Sequence, residues 1–363
     1  MAVMAGWLNS DGNWKFDVGV RSGSLNFTIT RVLRPQSAVL MKTRLLMSLT
    51  VTETKKPTVD RDAYTIALQK FDAAICEATA VSQATANRFV SSNVGYASRV
   101  FTRMCGTGIA MIRATPLSRW IRSDFDDWQF AAVAGHARGL LDGYLLFSYL
   151  IETPESEAEL KTRINVMHLN DCTRRIDLHK NLGITDNIVE FEQQRTELQG
   201  RLKNNEFFAT LPTDVQKQCL KGRFPIIDNR DMMLAKVGFD KGQFNALYDL
   251  WSQHIHILPL SFYRIEPNGR GTGLENNTDR TYIAQALDVC AAILAEATDL
   301  MVAHFPDAKA ACKGTNSTFS PGPASNLPKK STPTKKNERA TPAEICRLAE
   351  SKLTAAIKKT MGK

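Results

Sequence analysis

Apolar residues recur every three to four positions from Asp60 to Ala303, and strand-like alternation is scarce there. A chain with that period buries its apolar stripes helix against helix. Tyr64, Ala67, Leu68, Phe71, Ile75 and Ala78 line one side of a helix over Asp60 to Phe89. The spacing predicts further helices over Tyr96 to Arg113 and Asp124 to Ile151, then from a Thr153-Pro154-Glu155 cap to about Lys180. Others follow over Asp186 to Lys203, Asp214 to Lys221, Arg230 to Val237, Lys241 to Leu258 and Asp279 to Ala303. Gly and Pro fall between them, at Gly183, Gly222, Pro225, Gly238, Pro259, Pro267 and in Gly269-Arg270-Gly271-Thr272-Gly273. The fold class that follows is all-α, an irregular multi-helix bundle with disordered ends. No repeat at a fixed period points to a solenoid.

The ends differ from this body in charge. Of the net charge of +9, Lys313 to Lys363 supplies +8 (11 basic against 3 acidic) and Met1 to Leu46 supplies +4 (6 against 2). Met47 to Cys312 carries 29 basic and 32 acidic residues, a net of −3, which argues against a broad phosphate-binding groove on the body. Residues 1–46 read as a poorly ordered extension with one strand-like stretch, Leu25 to Thr30, ahead of an ordinary start at Met47. Residues 47–312 form the helical domain. Residues 313–340 read as a disordered basic linker, too rich in Gly, Ser, Thr, Pro and Lys to repay its ordering entropy. Thr341-Pro342-Ala343-Glu344 then starts a short C-terminal helix over 341–363. No apolar run reaches the ~18 residues of a spanning helix, so no membrane partner is expected.

Seven scattered cysteines without a CxxC pair read as reduced thiols of a cytoplasmic protein. Six dispersed histidines form no zinc spacing, and no metal or cofactor is expected. Gly106-Thr107-Gly108 follows no strand and reads as a helix irregularity, not a nucleotide loop.

Two places put polar chemistry on apolar helices. Arg138 and Asp142 are four apart and share a helix face as a buried ion pair, beside a stripe of Gly135, Gly139 and Gly143 suited to close helix approach. Tyr248, Ser252 and His256 fall at i, i+4 and i+8, and Pro259 ends their helix near His256. A histidine at a helix carboxyl end can serve as a general acid or base, with Asp142 as its orienting partner if the two helices meet.

Arg138-x3-Asp142-Gly-Tyr144, Arg163 after an acidic helix start, and Tyr248-x3-Ser252-x3-His256-x4-Ser261-x3-Ile265 together resemble an uncharacterised all-helical bacterial family, a domain of unknown function. Members show Arg-x3-Glu at the first motif, where Asp142 stands here; the resemblance covers about Arg122 to Arg270. Arg163-x4-His168 and Arg174-x4-His179 are in turn similar to the Arg-x4–6-His motif of the HEPN ribonucleases, although Arg175 stands where that family often has a polar Asn. That likeness implies metal-independent RNA cleavage in stress or phage defence, with Arg174 and His179 or His256 acting on a ribose 2′-hydroxyl. The leading expectation is a non-catalytic interaction or regulatory module with a protein partner, built around a buried polar network of Arg138, Asp142, Tyr248, Ser252 and His256. Nucleic-acid binding through Lys313 to Lys363 is the third reading.

Overall fold

The computed structural model describes residues 59–121 and 124–320, and the backbone of 3–8, 14–20, 23–32 and 44–51. The chain divides into two units, Met1–Phe319 and Ser320–Lys363. The expected C-terminal helix at 341–363 lies outside the described residues, as does the expected linker from 321 onward.

Every helix expected in the body is present, and the body is an all-α multi-helix bundle. In order come α1 (Arg61–Ala84), α2 (Ser92–Arg113), α3 (Phe130–Ile151), α4 (Glu157–Asn181), α5 (Ile188–Lys203) and α6 (Glu206–Thr210). Then follow α7 (Thr213–Leu220), α8 (Arg230–Val237), α9 (Lys241–Ile255), α10 (Pro259–Phe262), α11 (Asn277–His304) and a 3₁₀ segment, Pro306–Ala311. Short polar side chains start them. Asp60 accepts from the Ala63 amide at 2.8 Å, Ser156 from Glu159 at 3.1 Å and Asn276 from Asp279 at 2.9 Å. Glycines in the left-handed region close α4, α7 and α8, at Gly183, Gly222 and Gly238.

The main core joins α1, α2, α3, α9 and α11 around Phe71, Phe101, Phe147, Trp251 and Leu294. A smaller core joins α4 to α7 around Leu169, Ile176, Leu202 and Phe208. α11 runs through the first core with an unbroken buried stretch from Thr281 to Ala291, so its polar residues Gln285 and Asp288 are buried with it. α2 is continuous through Cys105-Gly106-Thr107-Gly108, which corrects the reading of that run as an irregularity. Gly108 serves packing. A Cβ there would stand 2.1 Å from Ile75 Cδ1 and 3.3 Å from Leu294 Cδ1, so the α1 and α11 side chains come closer than any side chain at 108 would allow.

Several boundaries move: α1 ends at Ala84 and not Phe89, α2 starts at Ser92 and not Tyr96, and α9 ends at Ile255 and not Leu258. α3 begins at Phe130, not Asp124, because Asp126 accepts from the Leu117 amide at 2.9 Å and the Trp128 amide donates to the Gly273 carbonyl at 2.9 Å. These contacts hold 124–128 as a loop. The chain from Lys313 to Phe319, expected to open a disordered linker, is pinned: Gly314 N–H donates to Glu77 at 2.7 Å, and Phe319 stacks on Trp120 at 5.8 Å. At the other end, the extension expected to be poorly ordered over 1–46 carries strand backbone in its described parts. β1 (Val3–Leu8), β2 (Trp14–Val20), β3 (Gly23–Val32) and β4 (Arg44–Val51) pair as an antiparallel meander in the order β1-β2-β3-β4. The strand-like stretch from Leu25 to Thr30 lies in β3. Among the described residues no helix is long and apolar enough to cross a membrane. The six described cysteines are free thiols.

Candidate functional site

α3 and α9 are neighbours, and the sequence motif of each supplies half of one polar cluster. Arg138 on α3 donates from Nη1 to Ser252 Oγ at 2.7 Å and from Nη2 to the Tyr248 hydroxyl. Its guanidinium carbon lies 3.8 Å from the Tyr248 ring centroid. Tyr248 and Ser252, one turn apart on α9, therefore grip one guanidinium between a ring face, a phenol and a hydroxyl. Ser252 Oγ spends its own proton on the Tyr248 carbonyl, which leaves its lone pairs to accept from Arg138. Arg230, at the start of α8, stands over the other part of the same aromatic pair, 4.7 Å from the Tyr248 ring and 5.7 Å from Phe244. Nothing local in the sequence marks Arg230, since its role comes from the approach of α8 to α9.

The remaining members of the expected centre are not drawn in. Asp142 Oδ2 is 3.7 Å from Arg138 Nε, but its side chain is 53% exposed, so the ion pair expected to be buried lies at the margin. Partial desolvation raises the Asp142 carboxyl above the usual range, opposed by Arg138 and Arg230. Gly135 and Gly139 are exposed with it, and only Gly143 meets close packing, 3.0 Å from Met104 Cγ to a built Cβ. His256 is the C-cap of α9 and exposed, and its imidazole makes no hydrogen bond or ion pair among the described residues. His254 is the inward member of that pair, edge-on to Phe130 at 4.7 Å. Burial lowers its pKa to about 4, so it stays neutral near pH 7.

The alternative pair also separates. Arg174 is exposed and donates to the Arg223 carbonyl at 3.3 Å, whereas His179 is buried, with Nδ1 3.1 Å from the Asp186 carbonyl and its ring edge-on to Phe191. His168 pairs with the Tyr96 hydroxyl at 2.7 Å. The Arg163 five residues before it belongs to a different network.

That network is the most deeply buried charge cluster of the described chain. Arg163 Nη2 lies 2.5 Å from Glu159 and 3.4 Å from Glu152, Nη1 donates to the Tyr149 carbonyl at 3.1 Å, and both Arg163 and Glu159 keep about a tenth of their side chains exposed. Lys236 closes it, 2.8 Å from Glu152 and 2.9 Å from Asp228. Ser156-x-x-Glu159 followed by Arg163 was the available signal: a capping pair whose Glu also faces an arginine one turn on. Among the described residues no three His, Cys, Asp or Glu side chains gather closely enough to hold a metal ion.

Chemically the Arg138 cluster is a clamp. Its two hydroxyls take the Nη donors, while Arg138 Nε is buried without a hydrogen bond, 3.7 Å from Asp142 Oδ2, and among the described residues no imidazole or carboxylate is hydrogen-bonded to Ser252 or Tyr248 to take a proton. No protein-family model matches the chain, no curated protein matches it, and no solved structure matches it.

Proposed function

We propose that this protein is a non-catalytic helical interaction module, in which the Arg138–Tyr248–Ser252 clamp locks α9 onto α3 and so presents the exposed end of α9 to a protein partner. The observation that carries this reading is the direction in which the clamp's donors point. Arg138 spends both Nη groups on α9, and His256, the exposed histidine that caps that helix, stands outside the clamp. A hydrolytic centre needs the reverse, a nucleophile or base with a free face toward substrate. Large apolar side chains cluster on the surface just past that end, as expected of a docking surface and not of a closed fold. Free thiols fit a reducing compartment such as the cytoplasm.

The test pairs two measurements on the full chain. Incubated with RNA in the presence of a chelator, it is expected to leave the RNA intact. Arg138→Ala is expected to lower the melting temperature while His256→Ala leaves it unchanged. Metal-free cleavage that disappears in His256→Ala or His179→Ala would overturn the proposal in favour of a HEPN-like ribonuclease. The +8 charge of Lys313 to Lys363 favours a second, compatible activity, salt-sensitive binding of nucleic acid by that segment.

A further inference from the structure

The net charge of −3 between Met47 and Cys312 conceals an uneven distribution. No Asp or Glu stands between Glu77 and Asp124, a stretch that carries six arginines: Arg88, Arg99, Arg103, Arg113, Arg119 and Arg122. Arg88 faces Asp307 at 2.6 Å, and Arg119 holds Asp72. Arg99, Arg103 and Arg113 all lie on α2 and are exposed, and their side chains make no ion pair or hydrogen bond among the described residues. At 3.6 residues per turn the three fall within about 80° of one another around the helix and form a row about 21 Å long. Gly106 and Ala110 lie between them on the same face. A Cβ on Gly106 meets nothing within 4 Å, so the middle of the row is open.

The fold does not answer these charges. α2 packs mostly against α1 and α3, and the carboxylates of both helices serve elsewhere. Asp142, the one acid of α3, lies 3.7 Å from Arg138. On α1, Asp62 stands in the first turn, Asp72 is held by Arg119, and Glu77 accepts from the Gly314 amide at 2.7 Å. Arg113 complements the carboxyl end of α2, but Arg99 and Arg103 stand mid-helix, where the dipole gives a cation nothing. Arg99 lies over the Tyr96 ring at 5.4 Å, a contact that leaves its N–H donors free.

A row of unanswered cations calls for a partner with regularly spaced negative charge. No large apolar side chain of α2 is exposed, so the face offers no anchor for a protein hot spot or for insertion into a membrane. Its cations are all arginines, whose planar fork matches phosphate oxygens, and the small residues between them allow close approach. The Tyr96 ring at the edge of the row contacts Arg99 at 5.4 Å and His168 at 5.8 Å, so it is not free to stack on unpaired bases. We infer that the exposed face of α2 binds the phosphate backbone of a double-stranded nucleic acid, without reading its sequence. This site is separate from the basic segment Lys313 to Lys363 and goes beyond the reading of the chain as an interaction module.

The test follows the fluorescence anisotropy of a short labelled DNA duplex, and of its RNA counterpart, with the full chain across a salt series. A preference for one duplex identifies the source of the phosphates. Arg99→Gln with Arg103→Gln and Arg113→Gln is expected to weaken binding at least about tenfold and to lower the salt slope by about two to three. Circular dichroism and melting should stay native-like. Gly106→Glu, which sets a carboxylate in the row without removing an arginine, should also weaken binding, and Gly106→Ala should not. The same loss of three charges in the basic segment, Lys329→Gln with Lys330→Gln and Lys335→Gln, should leave the effect of the α2 variants intact. If that variant removes binding and the α2 variants change nothing, the basic segment acts alone and the inference is overturned. Tighter binding of polyglutamate or of phosphatidylglycerol vesicles than of either duplex, lost in Gly106→Glu, assigns the face to an acidic protein or a membrane and overturns the nucleic-acid partner. Failure of both duplexes to bind at low salt overturns it as well.

Discussion

Arg163 lies within 3.4 Å of two carboxylates and 3.1 Å of a carbonyl in a nearly dry setting, whereas Arg138 is matched mainly to neutral hydroxyls and a ring. Removing one partner of a buried pair strands the other charge. Arg163→Ala is therefore expected to cost about 3–5 kcal/mol. Arg138→Ala should cost about 1–2 kcal/mol, since Tyr248 and Ser252 stay partly open to water. Urea unfolding of the two variants ranks them, and the opposite order would refute this account. Asp288 on α11 is a second buried charge, 3.6 Å from Lys70, with Oδ2 unbonded; burial raises its pKa to about 7. Between the unfolded value near 3.8 and about 7 the native state holds a proton that the unfolded chain has released. Stability from this group is thus highest at the acid end of that window and falls as pH rises through it. Asp288→Asn, neutral at every pH, should flatten that segment of the pH–stability curve and exceed the wild type above pH 7, measured by thermal melts across pH. An unchanged slope would show that Asp288 is not the titrating group.

The two glycines of Gly106-Thr107-Gly108 look alike in sequence and differ in α2. A Cβ on Gly106 meets nothing within 4 Å, while one on Gly108 meets Ile75 and Leu294. Gly106→Ala is expected to stabilise by up to about 1 kcal/mol through helix propensity. Gly108→Ala should destabilise by about 1–3 kcal/mol through overpacking, with Ile75→Val, which deletes the clashing methyl, restoring part of the loss. A double-mutant cycle by chemical denaturation measures the coupling, and additive effects would disprove the contact. Helix existence was legible because long 3.6-residue periods outlast local noise; α8 matches its predicted span, and α4 is capped three residues later than predicted, by Ser156 and not Thr153, and ends one residue later. Helix ends were less so. α9 stops at Ile255 although its apolar pattern continues to Leu258, because the chain reverses through a left-handed isoleucine that no propensity favours.

Across the Met1–Phe319 unit, the body is held at its far end by contacts beyond the helices. Phe319 stacks on Trp120, whose indole N–H donates to Asp72 at 2.8 Å, so the last described turn is tied to α1. A chain ending at residue 312 should melt several degrees below one ending at residue 320, by differential scanning calorimetry; equal melting would mean the stack contributes nothing. Periodicity sufficed for the helical class, and the spacing of Tyr248 and Ser252 sufficed for one face of α9, because both depend only on neighbours a turn away. The grip of Arg138 on that face was anticipated as a meeting of helices. The exclusion of His256, the exposure of Asp142 and the entry of Arg230 were not, because they depend on the rotation of each helix about its axis. That rotation is settled by how dozens of distant side chains fill one core, information that no local window of sequence contains.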